Sequence, residues 1–91
     1  MTRIEHMLVI LAEESAEVMQ RASKAIRFGL DEIQPGQPDT NTRRIERELA
    51  DLVAVAESLG LSIRDEDKAA KKAKLETFLA YAVECGTVTD E

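Results

Sequence analysis

Apolar positions recur every three or four residues through most of this chain, the period of helices that bury one face. Ile4, Met7, Leu8, Leu11, Val18, Met19, Ala22, Ala25 and Ile26 define one broad arc. They predict a first helix from Thr2 to Phe28, with Gly29 as its C-terminal stop. A second arc of Ile45, Leu49, Leu52, Val55, Ala56 and Leu59 predicts a helix from Thr42 to Leu59, capped by Asn41 or Thr42 and stopped by Gly60. Ser62 and Asp65 have the spacing of a capping box, so a third helix begins there and ends near Cys85, before Gly86. Leu75, Phe78, Leu79 and Ala82 form its stripe. Between the first two helices lies GLDEIQPGQPDTN, whose Pro35-Gly36 and Pro38 forbid regular structure. It exceeds the usual connector between bundled helices and is therefore a functional loop or a mobile one.

The expected fold is all-α, an antiparallel helical hairpin plus a third helix, in one domain over residues 1–91. Composition agrees, since aromatics make up only 3% of the chain and Ala, Leu, Val, Glu, Lys and Arg dominate it. Eighteen acidic against twelve basic residues give a net charge of −6, which opposes attraction to nucleic acid or to an anionic membrane. The apolar run from Met7 to Ala12 is too short to span a bilayer, and a lone cysteine, Cys85, excludes an intrachain disulfide. A cytoplasmic protein is expected, with Cys85 buried or partly buried as a structural thiol.

The distribution of acidic residues changes this bland picture. At about 100° per residue, Glu14 lies inside one edge of the first apolar arc, flanked in projection by Ile10 and Met7. Glu17 projects about 60° further out, with Glu13 beyond it. The second helix repeats the arrangement, with Glu48 between Val55 and Leu59 and Asp51 about 60° outward. Both outer carboxylates are displaced in the same rotational sense, so antiparallel packing directs Glu14, Glu17, Glu48 and Asp51 into one groove. Like charges beside an apolar interface repel and cost several kcal/mol each to desolvate. A hard divalent cation is the simplest remedy, and Mg²⁺ commonly completes its shell with water and substrate phosphates. The competing possibility is a solvated face relieved by the helix pairs Glu17–Arg21 and Arg44–Glu48. A di-iron centre fits less well, because it uses Glu-x-x-His motifs and the only histidine, His6, lies outside both motifs as an expected surface residue.

EESAE (Glu13 to Glu17) followed by ERELAD (Glu46 to Asp51) resembles the E-E-x-x-E and E-x-x-D signature of the MazG-like all-α nucleoside triphosphate pyrophosphohydrolases. LAEESAEVMQRASKAIRFGLDEIQPGQ and KKAKLETFLAYAVECGTVTDE are similar to the small phage or prophage branch of that group, so the resemblance covers nearly the whole chain. It implies Mg²⁺-dependent hydrolysis of a (d)NTP to the monophosphate and pyrophosphate, with Mn²⁺ able to substitute, in the service of nucleotide-pool adjustment or cleaning. Purine deoxynucleotides such as dGTP or dATP are conceivable substrates. By motif match, Glu14, Glu17, Glu48 and Asp51 would be the metal ligands and Glu13 a carboxylate that orients or deprotonates the attacking water.

The triphosphate also needs cations. Arg21 and Lys24 lie one and two turns beyond Glu17 on the first helix. The resemblance adds basic residues on the last helix, for which Lys71 and Lys74 are the candidates, although KKAKLETF does not reproduce the enzymes' Lys/Arg spacing cleanly. Phe28 and Tyr81 are stacking candidates by type, with packing in an aromatic-poor core as the stronger expectation for both, and Met7, Ile10 and the loop Gly29 to Asn41 are candidates to line a base pocket on the first-helix side. Three short helices leave wide apolar arcs uncovered, and the family assembles as dimers or dimers of dimers, so a homodimer or homotetramer is expected. The alternative to an enzyme is a helical module that binds nucleotide or a partner without turnover.

Overall fold

The structure is a computed structural model that describes residues 1–89. Three helices, α1 (Arg3–Phe28), α2 (Asn41–Ser58) and α3 (Asp65–Glu84), are its only regular elements, and no strand occurs among the described residues. The backbone divides into two compact units, Met1–Leu61 holding α1 and α2, and a second that begins at Ser62 and holds α3. No described helix is long and apolar enough to cross a membrane.

Local chemistry accounts for most helix ends. Thr2 and Glu5 form a reciprocal capping box at the start of α1. At α2 the N-cap is Thr40, whose hydroxyl accepts from the Arg43 N–H, not Asn41 or Thr42 as the spacing suggested. Ser62 does not cap α3 either. The residue before that helix is Arg64, which offers no side-chain cap, and Asp65, Glu66 and Asp67 instead meet the positive end of the helix dipole. The last turns of α2 and α3 close as Schellman motifs, with Leu61 N–H on Ala56 O and Thr87 N–H on Ala82 O.

α2 returns antiparallel along α1. Its first residues are tied to the chain leaving α1, through Asn41 N–H to Glu32 O and Thr42 N–H to Leu30 O, while carboxylates midway along both helices meet. The connecting loop is thus pinned. Asn41, only 2% exposed, donates its side-chain amide to Gly29 O at 2.8 Å and to Glu32 Oε1 at 3.1 Å.

The packed face of α1 differs from the arc expected from projection. Met7, Ile10, Leu11, Glu14, Val18, Arg21 and Ala25 are buried or half-buried, whereas Ile4, Leu8, Met19 and Ile26 are exposed. The contact stripe is turned by about 60° toward Glu14. On α2 the expected stripe holds except at Leu49, which is exposed together with Val53. Ala25 and Ala56 are the only buried apolar residues among those described, so the hairpin's own core is thin. α3 buries no residue, and Leu75, Phe78, Leu79 and Tyr81 are all exposed. Cys85 is exposed rather than the buried or partly buried thiol expected, because it sits at the C-cap of α3, where no described residue covers it.

Candidate functional site

The rotation of α1 carries its acidic motif into the seam with α2. Glu14 and Glu17 stand one turn apart on α1, Glu48 faces them from α2, and one oxygen of each lies within 4.8 Å of the others. Glu17 is exposed, whereas Glu14 and Glu48 are half-buried. One oxygen of each of those two, and Arg21 Nη1, are shut off from solvent without a hydrogen-bond partner. Buried polar atoms normally find partners, so three orphans at one seam mark an arrangement not built for packing alone.

Electrostatics tells the same story. Burial raises the Glu14 carboxyl above its usual range, assisted by the charges of Glu17 and Asp51, a hydrogen bond with Glu17 and the charge of Glu13. Glu48 is raised first by a hydrogen bond with Glu17, then by burial and by the charges of Glu17, Asp51 and Glu14. The groove therefore favours an added positive charge, which a proton or a metal ion can supply. An all-oxygen donor set of this kind could hold a hard divalent cation.

The residues singled out from the sequence take different places. Glu14, Glu17 and Glu48 form the close-set group, and Asp51 and Glu13 lie outside it, exposed, acting on it through their charges. The helix pairs that would have relieved these charges do not form. Among the described residues the ion pairs are Arg47–Asp39, Arg64–Glu66 and Lys68–Asp65, so neither Glu17–Arg21 nor Arg44–Glu48 is present. Arg44 instead donates to Gln34 Oε1 in the loop. His6 is exposed, as expected.

Arg21 and Lys24 are half-buried on the same helix as Glu14 and Glu17. The Lys24 ammonium lies 5.8 Å and the Arg27 guanidinium 5.1 Å from the centre of the Phe28 ring. Phe28 is exposed, as is Tyr81, so neither is packed in a core as expected. Lys71 and Lys74 belong to α3 in the second unit and are exposed. Of the loop Gly29 to Asn41, Glu32, Gln34, Pro35 and Asn41 line a cavity with Lys24 and Phe28 at the loop end of the hairpin, whereas Met7 and Ile10 take no part in it. Asn41 beside a helix start reads as a cap, and only its long-range bonds reveal its inward turn.

Comparisons of the chain with protein-family models, with curated proteins and with solved structures found no match.

Proposed function

We propose that the chain hydrolyses a nucleoside triphosphate to the monophosphate and pyrophosphate with Mg²⁺, Mn²⁺ serving as a substitute. The observation that carries this reading is the close set of Glu14, Glu17 and Glu48 oxygens at a helix seam, two of these residues also holding a buried oxygen that no protein group satisfies. The nucleotide and the reaction come from the resemblance of EESAE and ERELAD, the segments that carry these same residues, to the MazG-like signature. Glu14, Glu17 and Glu48 would hold the metal, with Asp51 one turn after Glu48 as a fourth carboxylate. When bound, the metal polarises phosphate oxygens, lowers the pKa of a bound water and neutralises charge on the departing pyrophosphate.

The chain's own residues supply the rest. Arg21 carries an unpartnered guanidinium nitrogen at the seam, and Lys24 follows it toward the loop, so the two offer positive charge to the phosphates. Glu13, exposed next to Glu14, accepts the proton of the attacking water. The water oxygen bonds to the α-phosphorus, the bond from that phosphorus to the bridging oxygen breaks in line, and pyrophosphate leaves with the electron pair. Lys71 and Lys74 are further candidates for the phosphates. Cleaning or adjusting a cytoplasmic nucleotide pool is the corresponding role.

The reading includes a homo-oligomer, a dimer at least. Ile4, Leu8, Met19 and Ile26 on α1, with Leu49 and Val53 on α2, lie on the edge of the hairpin away from the acidic groove and are exposed. Ala22, Ala25, Ile26, Leu30 and Ile45 line an almost wholly apolar depression. A second copy covering these faces would supply the core that the hairpin lacks.

Chromatography of products after incubation with Mg²⁺ and each common NTP and dNTP tests the activity. Monophosphate plus pyrophosphate is expected from one or a few of them. Glu14→Gln and Glu48→Gln should each abolish turnover while helicity stays unchanged. Full activity in both variants would refute the assigned site, and no turnover of any nucleotide with either metal would favour a binding module without catalysis.

A further inference from the structure

Three of the four motif carboxylates have an arginine of their own helix within reach. Arg44 and Arg47 precede Glu48 and Asp51 by four residues on α2, and Arg21 follows Glu17 by four on α1, the spacing at which helical side chains of opposite charge meet. Three such pairs would neutralise the acidic groove from within. None of them forms among the described residues. Both α2 arginines turn instead to the loop that joins the helices. Arg44 Nη1 donates to Gln34 Oε1 at 2.8 Å, and Arg47 Nη2 donates to Asp39 Oδ2 in a charge pair.

Two features favour the loop in this competition. Along a helix, a base that precedes an acid is the weaker of the two orientations, so Arg44–Glu48 and Arg47–Asp51 yield readily to another acceptor. The loop acceptors are also held in place beforehand. Asn41 fastens the loop through its N–H to Glu32 O and its side-chain amide to Gly29 O, the Gln37 N–H closes a turn on Gln34 O, and Asp39 immediately precedes Thr40, the N-cap of α2. Because the hairpin has already ordered this backbone, holding an arginine there costs little further entropy. Charge is thereby separated along α2. Arg44 is half-buried and bonded to the loop, while Glu48, its neighbour one turn on, keeps a buried oxygen with no partner. A guanidinium released into the groove would take the carboxylate oxygens in paired hydrogen bonds and repel a divalent cation.

We propose that Gln34 and Asp39 are positioning residues that hold Arg44 and Arg47 away from Glu48 and Asp51, and so keep the groove open to a divalent cation. The loop is a tether for internal cations, and the groove takes its positive charge from outside the chain. That consequence rests on the metal site of the hydrolase reading, whereas the tether itself rests on the two loop contacts.

The test takes two readouts from the full chain. Arginine Nε–H resonances report the tether by NMR in metal-free protein. Those of Arg44 and Arg47 should move in Gln34→Ala and Asp39→Ala respectively, and far less in Glu48→Gln and Asp51→Asn. In the Gln34→Ala/Asp39→Ala double variant, the same two carboxylate changes should move them in turn. Calorimetric titration with Mg²⁺ alone, and with Mn²⁺ alone, reports the consequence without any nucleotide. The double variant should bind either ion about three- to tenfold more weakly than wild type, the scale of two exposed ion pairs that the metal must displace. Adding Arg44→Ala and Arg47→Ala to the double variant should restore wild-type affinity, a rescue that general loosening of the loop would not produce. Failure of that rescue, unaltered affinity in the double variant, or arginine resonances there that ignore Glu48→Gln and Asp51→Asn would overturn the proposal. The expected arginine response with no binding of either ion by wild type would overturn the hydrolase reading and uphold the tether. Metal binding by wild type with arginine resonances that ignore Gln34→Ala and Asp39→Ala would overturn the tether alone.

Discussion

Replacing Asn41 by Ala tests the loop geometry on which both the hairpin and its cavity depend. The residue is 2% exposed, and its side-chain amide donates to the carbonyl of Gly29 at 2.8 Å and to the carboxylate of Glu32 at 3.1 Å. A buried hydrogen bond to a neutral acceptor contributes about 0.5 to 1.5 kcal/mol and one to a charged acceptor about 1.5 to 3, so the pair is worth about 2 to 4.5 kcal/mol. The substitution leaves the Asn41 N–H bond to Glu32 O in place, which confines the effect to the side chain. For a chain of this length each kcal/mol moves the melting temperature by about 5 °C, giving a fall of about 10 to 20 °C. Thermal unfolding followed by circular dichroism reads this directly, at matched protein concentration because self-association would raise apparent stability. Asn41→Asp should cost at least as much, since it removes both donors and sets a carboxylate against Glu32. A melting temperature for Asn41→Ala within about 2 °C of wild type, corresponding to less than about 0.5 kcal/mol, would refute the claim that this residue pins the loop.

The raised carboxyls of Glu14 and Glu48 fix the sign of a pH dependence. Folded chains keep protons on these groups where unfolded chains, with ordinary values near 4.5, have lost them, so their contribution is present below that pH and is lost as pH rises through the folded values. Unfolding midpoints should therefore decline over that interval in wild type and flatten in the Glu14→Gln/Glu48→Gln double variant, with Mg²⁺ restoring stability near neutrality in wild type only. Glu5, held below its usual value by hydrogen bonds from Thr2, acts in the opposite sense and contributes to the loss at the acid end. Gly29 has φ +100° and ψ 151°, a region nearly closed to other residues, so Gly29→Ala should cost about 1 to 3 kcal/mol by urea titration despite open space around a new Cβ. Thr40→Ala should cost about 1 kcal/mol by the same assay. Ser62→Ala, at a residue that caps nothing, should stay within about 0.5 kcal/mol of wild type.

The sequence by itself determined the three helices, their glycine stops and the pairing of E-x-x-E with E-x-x-D, because periodicity and turn chemistry act over a few residues. Three of the four motif carboxylates, Glu14, Glu17 and Glu48, draw together as that pairing predicts. Tertiary structure decided which part of α1's broad arc is packed. Ile4, Leu8, Met19 and Ile26 are as apolar as Met7, Leu11 and Val18, so projection alone does not choose between them, and the contact with α2 does. It also decided the fate of the arginines. Helix pairs such as Glu17–Arg21 are worth only about 0.2 to 0.5 kcal/mol, too little to hold when a loop acceptor like Gln34 claims Arg44 or a seam encloses Arg21. Asn41 had the chemistry of a helix cap by its neighbours, but the acceptors that fix it, Gly29 O and Glu32, lie twelve and nine residues back along the chain. Such partners come within reach only when the hairpin closes, which is why the loop and its cavity belong to the fold and not to any local pattern.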